Sequence, residues 1–201
     1  MPEAPIVIVE NDPETVEADL ATGRLLCPSC SNKPLVRWGF ARWRELWDGT
    51  TLQPRRAACF TKGGCGATHV LLPDTCLARR HYSAEVIGTA LTAVIASGEA
   101  YNDAAYRLEV PPDTLYGWLR RFRRRAGEIA SHFVAWLVAL APGDPLPEPE
   151  GGLARHALGL LGAVARAASL RLGARPAWSW ASALTGGALL SNTSSPFPGP
   201  D

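Results

Sequence analysis

The sequence predicts a mainly α-helical chain with a small β unit near its N-terminus, and three observations carry that reading. Two cysteine pairs, Cys27/Cys30 and Cys59/Cys65, flank a segment with strand character and an Asp48-Gly49 hairpin signal. Three helical patterns then follow between Ser83 and Arg125, the last two separated by Val110-Pro111-Pro112. A Pro-rich linker leads to an Ala/Gly/Leu-rich helical run. At 201 residues the chain has room for one or two small domains rather than a large enzyme core.

The net charge of +1 conceals a strong segregation. Residues 1–26 carry six acids against Arg24, residues 33–80 nine bases against three acids, and residues 101–125 six bases against three acids. The middle of the chain is therefore a basic module between an acidic head and a near-neutral tail, as expected of a surface that meets phosphates. Nearly all the positive charge is arginine, which suits bidentate contacts to phosphate and guanine.

Residues 1–24 form an acidic segment in which an apolar run, Ile6–Val9, precedes Asn11-Asp12-Pro13 and one or two helical turns. Residues 25–76 come next. Cys27-Pro-Ser-Cys30 is a knuckle, Val36, Trp38 and Phe40 lie on a first strand, and the turn at Asp48-Gly49 places a second strand at about residues 50–58. That strand delivers the chain to Cys59 and Cys65. Two cysteine pairs brought together by a hairpin describe a zinc ribbon, with Cys27, Cys30, Cys59 and Cys65 as the four thiolates of a closed, structural Zn2+ site. The second knuckle has five intervening residues where two to four are usual, so Gly63-Gly64 must fold the loop back, and His69 is an alternative ligand. Cys76 reads as a small buried residue. Between the knuckles Arg37, Arg42, Arg44, Arg55 and Arg56 alternate with Trp38, Trp43 and Trp47. Either the tryptophans form the ribbon's core while the arginines stay wet, or the arginines make a second phosphate-contacting surface or stack on the rings.

Residues 81–126 read as a three-helix domain. Ser83 caps a helix to Ser97 whose stripe is Val86, Ile87, Ala90, Leu91, Val94 and Ile95, and Gly98 ends it. A second, short helix begins near Tyr101, capped by Asn102 or Asp103 and burying Ala104, Ala105 and Leu108. The third begins at Pro112-Asp113, with Leu115, Trp118, Leu119 and Phe122 on its inner side. A short helix, a tight Pro-bounded turn and a second helix are the proportions of a helix-turn-helix. The turn lacks its usual glycine, and Glu109 in a left-handed conformation would cost roughly 1 kcal/mol. On the outer side of the third helix, Thr114, Tyr116, Gly117 and Arg120 fall where base edges would lie, and Arg121, Arg123 and Arg124 where phosphates would. The competing reading is that an arginine-rich helix end is a solvated face complementing the helix dipole.

The helix continues as an apolar segment over 127–141, and residues 142–152, with four prolines in eleven positions, are a linker. Residues 153–190 form C-terminal helices, Leu153–Leu172 and a shorter one at Trp178–Leu184, and residues 191–201 are a disordered tail by composition. The apolar runs Ile129–Ala141 and Ala157–Ala165 fall short of the ~20 residues that span a bilayer, so no membrane role is expected. The N-terminus has acids where a signal peptide needs positive charge, so a reducing cytoplasm is expected, in which paired cysteines more often hold metal than form disulfides.

With these motifs in place the chain resembles a family of actinobacterial proteins built from a zinc ribbon and a helix-turn-helix, catalogued as a domain of unknown function. It is similar in plan to the N-terminal region of ISL3-type transposases. The resemblance rests on Cys27-Pro-x-Cys30, Trp38-Gly39, Arg55-Arg56, Cys65-Gly66-x-Thr68-His69-Val70-Leu71-Leu72-Pro73, Arg79-Arg80, Val110-Pro111 leading to Thr114, Trp118 and Arg120-Arg121, and Trp180-Ala181-x-Ala183-Leu184-Thr185-Gly186-Gly187. It covers about residues 27–190 and implies a cytoplasmic, transposase-derived protein binding double-stranded DNA. A DDE transposase needs three carboxylates converging on two metal ions. Beyond the third helix the acids are only Glu128, Asp144, Glu148, Glu150 and Asp201, so no catalytic residues and no small-molecule substrate are expected. The leading expectation is a non-catalytic, sequence-specific DNA binder, transposase-derived or regulating transcription. The rival is a protein-protein interaction module of ribbon plus apolar helices, and those helices also motivate a homodimer.

Overall fold

In the computed structural model, residues 6–30, 33–192 and 197–200 are described. The protein is mainly helical with a small β unit. Among these residues six strands, β1 (Ile6–Val9), β2 (Val36–Phe40), β3 (Arg44–Glu45), β4 (Thr51–Leu52), β5 (Arg55–Ala58) and β6 (Thr68–Pro73), are joined by six helices, α1 (Pro13–Thr22), α2 (Ala84–Ile95), α3 (Tyr101–Arg107), α4 (Pro112–Leu140), α5 (Leu153–Leu172) and α6 (Ala177–Leu184).

The first 24 residues are more than an acidic leader. β1 pairs in parallel with β6 and completes a four-stranded sheet of order β1-β6-β5-β2, in which β5 is antiparallel to both neighbours. Asp12 caps α1 by accepting from the backbone N–H groups of Glu14 and Thr15, and Pro13, which needs no donor, fills the first helical position. The helix thus runs ten residues rather than one or two turns. Its Glu17 receives hydrogen bonds from Arg37 and Arg55, each at 2.6 Å, which clamps α1 to the sheet. Opposing the cost of its partial burial, these two arginines hold the Glu17 carboxyl below its usual range.

The strand expected over 50–58 is two strands, because Pro54 cannot donate to a ladder. Its carbonyl instead accepts from Ala41, and β4 pairs with β3 as a separate hairpin. The tryptophans do not form the ribbon's core: Trp38, Trp43 and Trp47 are 52%, 68% and 58% exposed. That core is Val9, Val16, Leu20, Leu35, Ala57 and Leu71 packed with Cys27 and Cys59.

The larger core joins α2 to α6. Ser83 caps α2 by accepting from the Val86 N–H at 3.2 Å. The cap predicted for α3 at Asn102 or Asp103 is absent: the helix starts at Tyr101 after Ala100, placing both residues inside its first turn. Leu115, Trp118, Leu119 and Phe122 are buried as the spacing predicts, and α4 continues unbroken to Leu140 with α5 packed along it. Much of the apolar face of each of these helices is covered by the other within one chain, while Val138, Leu153, Leu170 and Leu172 stay exposed. No single described helix is long and apolar enough to cross a membrane.

The α6 segment closes the structure at its centre. Trp178 packs against Gly88, the Ser182 hydroxyl donates to the Cys76 carbonyl at 2.6 Å, and the Gly187 carbonyl accepts from the Ala78 N–H at 2.9 Å. Arg175 stacks on Trp180 and pairs with Glu10 and Asp74, linking the C-terminal helices to the ribbon. Within the segment expected to be a disordered tail, one side chain makes contacts with the helical core. Phe197 packs over the Arg125 guanidinium at 4.3 Å and beside His132, where composition alone had indicated disorder; residues 193–196 and 201 lie outside the described residues.

Candidate metal centre and nucleic-acid interface

Two knuckles converge at one end of the sheet. In the first, the Cys27 N–H donates to the Lys33 carbonyl and Leu35 donates back to Leu25, closing the turn that carries Cys27 and Cys30. In the second, the Cys59 N–H donates to Ala67 and its carbonyl accepts from Gly66, so the long loop doubles back on itself. Gly64 makes this possible: a Cβ there would strike the Cys59 carbonyl and come within 2.9 Å of its sulfur.

The four sulfurs lie within 4.8 Å of one another. Cys27 and Cys65 are 3.6 Å apart, and Cys30 and Cys59 3.7 Å. Four thiolates about 2.3 Å from a tetrahedral ion sit about 3.8 Å from each other, so the donor set and spacing are compatible with zinc. Burial works against the Cys27 thiolate, but the N–H groups of Ser29 and Cys30 and the contacts from Cys65 and His69 outweigh it and bring its pKa down to about 6. Cys59, buried beside the other sulfurs, is pushed up to about 12.

His69, the alternative ligand, takes a different place. It is fully buried, with Nε2 3.3 Å from the Cys27 sulfur, outside the set of four. In the tautomer that carries its proton on Nε2, the ring would donate to the Cys27 sulfur, fixing its orientation and offsetting a thiolate charge there. We expect His69→Ala to keep the fold but lower metal affinity 10- to 100-fold, measured by competition with a chromophoric chelator.

The second site begins at the turn between α3 and α4. Glu109 has φ +54, so the turn adopts the left-handed conformation without glycine. Its carbonyl accepts the Trp47 indole N–H at 2.9 Å, and Trp47 stacks on Tyr82, which in turn meets Trp118 edge-on. The β3–β4 hairpin is thereby docked on the turn. This role for Trp47 was not legible in its spacing, because the partner lies 62 residues away.

On the outer side of α4, Tyr116, Arg120, Arg123 and Arg124 are exposed, and Thr114 and Gly117 are partly so. Arg121 is drawn aside: its Nε donates to Asn192 at 2.8 Å and its guanidinium lies across Gly117. The arginine run also divides. Arg125 is buried, paired with Glu128 at 2.8 Å and donating to the Ala188 carbonyl at 2.6 Å. Of the ribbon arginines, Arg37 and Arg55 are engaged with Glu17, whereas Arg42 and Arg44 are exposed on or beside the hairpin.

Residues 77–138 match the model of a family described as Transposase, its helix-turn-helix domain. They form a transposase-like helix-turn-helix domain. The matched stretch runs from the loop before α2 through most of α4, so Arg79 and Arg80 lie inside it. No curated protein and no solved structure matches the chain.

Proposed function

We propose that this chain is a non-catalytic, sequence-specific binder of double-stranded DNA, of transposase descent, in which α4 enters the major groove and a zinc ion stiffens the ribbon. The observation that carries the reading is the coincidence of the transposase-like domain with an exposed basic face on α4. Thr114, Tyr116, Gly117 and Arg120 lie toward base edges, and Arg121, Arg123 and Arg124 toward phosphates. Zinc at Cys27, Cys30, Cys59 and Cys65 leaves no open position for water, so its contribution is to folding. The absence of a catalytic role is argued from the acids after Arg125: Glu128 is held by that arginine, and Asp144, Glu148 and Glu150 lie exposed in the linker, so these four do not converge on one site. A ribbon fixed to the helix-turn-helix by Trp47 favours a single rigid DNA-binding body over a detached interaction module.

The test is a mobility shift with mixed genomic fragments at low salt, followed by selection and sequencing of the retained DNA. Arg123→Ala with Arg124→Ala should lower the slope of log K against log salt by about 2 units, since each phosphate contact contributes about 0.9. An unchanged affinity and slope in that variant would remove α4 from the interface, and a wild-type protein that retards no fragment would overturn the function.

A further inference from the structure

Beside α4 lies a shallow cleft of about 490 Å³ lined by Arg80, Asp113, Thr114, Gly117, Arg120 and Arg121. Three guanidinium-bearing residues face it against one carboxylate. Two of them are held from behind by the C-terminal segment: Arg80 donates to the Leu190 carbonyl, and Arg121 donates to the Asn192 side chain at 2.8 Å. One step earlier in the same segment, the Ala188 carbonyl takes Arg125. Acceptors at residues 188, 190 and 192 thus anchor three arginines that lie 63 to 110 residues away from them in sequence.

Arg80 is half-buried, and its Nε is buried with no hydrogen-bond partner among the described residues. The residue before it, Arg79, has φ +59, a left-handed conformation disfavoured for any residue with a side chain. Burial, and then the positive charge of Arg121, lower the pKa of Arg80. Like charges gathered around a partly desolvated guanidinium, with a donor left over, are an arrangement that an anion relieves.

We propose that Arg80 and Arg121 form a phosphate clamp, preset by the 188–192 segment, that takes one phosphodiester of the DNA backbone. The proposal rests on the DNA-binding reading and adds to it a residue from outside α4 and a positioning role for the C-terminal segment. The ligand chemistry is a tetrahedral phosphate oxygen anion, for which guanidinium forks are suited. A phosphate here would lie beside the first turns of α4 and fix the helix against the backbone, while the exposed residues of α4 reach the groove.

The test uses the full chain with its metal bound. In anisotropy titrations on a mixed-sequence duplex over a range of salt, Arg80→Gln should lower the slope of log K against log salt by about 0.9, and Arg80→Lys should restore most of it. Zinc content and helical circular dichroism should stay at wild-type levels. A folded Arg80→Gln protein with the wild-type slope overturns the clamp while leaving DNA binding standing. Because Arg80 also holds Leu190, that variant is at risk of misfolding, so a second measurement follows the Nε–Hε resonances of Arg80 and Arg121 in the unaltered chain. Both should shift on addition of duplex, and a shift confined to other α4 residues overturns the proposal. If the wild type binds no duplex, the DNA reading fails separately, and inorganic phosphate decides the rest: shifts of both resonances keep the anion site, and their absence removes it.

Discussion

Cys59→Ser should empty the metal centre and unfold the ribbon while α2 to α6 remain helical. Cys59 is fully buried, and it supplies both one of the four clustered sulfurs and the backbone groups that close the second knuckle. The ribbon has little else to hold it. Its core cluster has eight residues, and two of them, Cys27 and Cys59, belong to the candidate metal set. Structural zinc supplies about 10–16 kcal/mol of apparent free energy in small peptides at neutral pH, comparable to the whole gross burial energy of the five Val and Leu side chains in that cluster, about 8–15 kcal/mol. The helical core, by contrast, includes no ligand cysteine. The variant should therefore lose its zinc, from about one equivalent to background. Its tryptophan fluorescence should shift as Trp47 leaves Glu109, and its far-ultraviolet helical signal should be largely retained. Chelation of the wild-type protein should reproduce each change. Retention of a full equivalent of zinc by the serine variant would show that Cys59 is not a ligand.

What was legible in the sequence was what is decided locally. The knuckle at Cys27/Cys30, the cap at Ser83, the Asp48-Gly49 turn, the inner face of α4 and the bounds of α5 all follow from residues within a few positions of one another, and each is seen in the structure. The unusual Glu109 turn was legible too, because only one residue was placed to take the left-handed conformation. Features that depend on distant partners were not. β1 is a run of only four residues whose partner strand, β6, lies beyond both knuckles. Arg125 reads as one more solvated arginine until Ala188 and Phe197 are brought to it. The exposure of the three ribbon tryptophans was hidden for a related reason: their rings are used at edges, Trp38 against Phe60 and Trp47 against Tyr82, rather than in the sheet's interior. Arg80 was visible only as half of an Arg-Arg pair, since its partner carbonyl lies 110 residues away.

Gly88→Ala should destabilise the protein by about 2 kcal/mol, although helix propensity alone favours alanine by about 1 kcal/mol. The reason is steric. Gly88 is buried in the middle of α2, and a Cβ there would overlap the Trp178 indole of α6. Overpacking a filled site costs about 1–3 kcal/mol, occasionally more, and an overlap with a ring belongs at the upper end of that range. Open space of about 380 Å³, shared with Glu85, Thr89 and Ala93, lies beside the ring. Moving it carries α6 along, and α6 and the turn after it are tied to the 76–78 loop through Ser182 and Gly187. That loop leads directly into Arg80. The substitution should therefore lower the midpoint of chemical denaturation and also weaken binding to duplex DNA, without touching any residue of the α4 face. Pairing it with Trp178→Ala should recover much of the strain, giving a non-additive double-mutant cycle, because the same contact is removed in both. A Gly88→Ala protein as stable as the wild type, or additive with Trp178→Ala, would mean that α6 does not press on α2, and the route from the C-terminal segment to the basic cleft would have to run elsewhere.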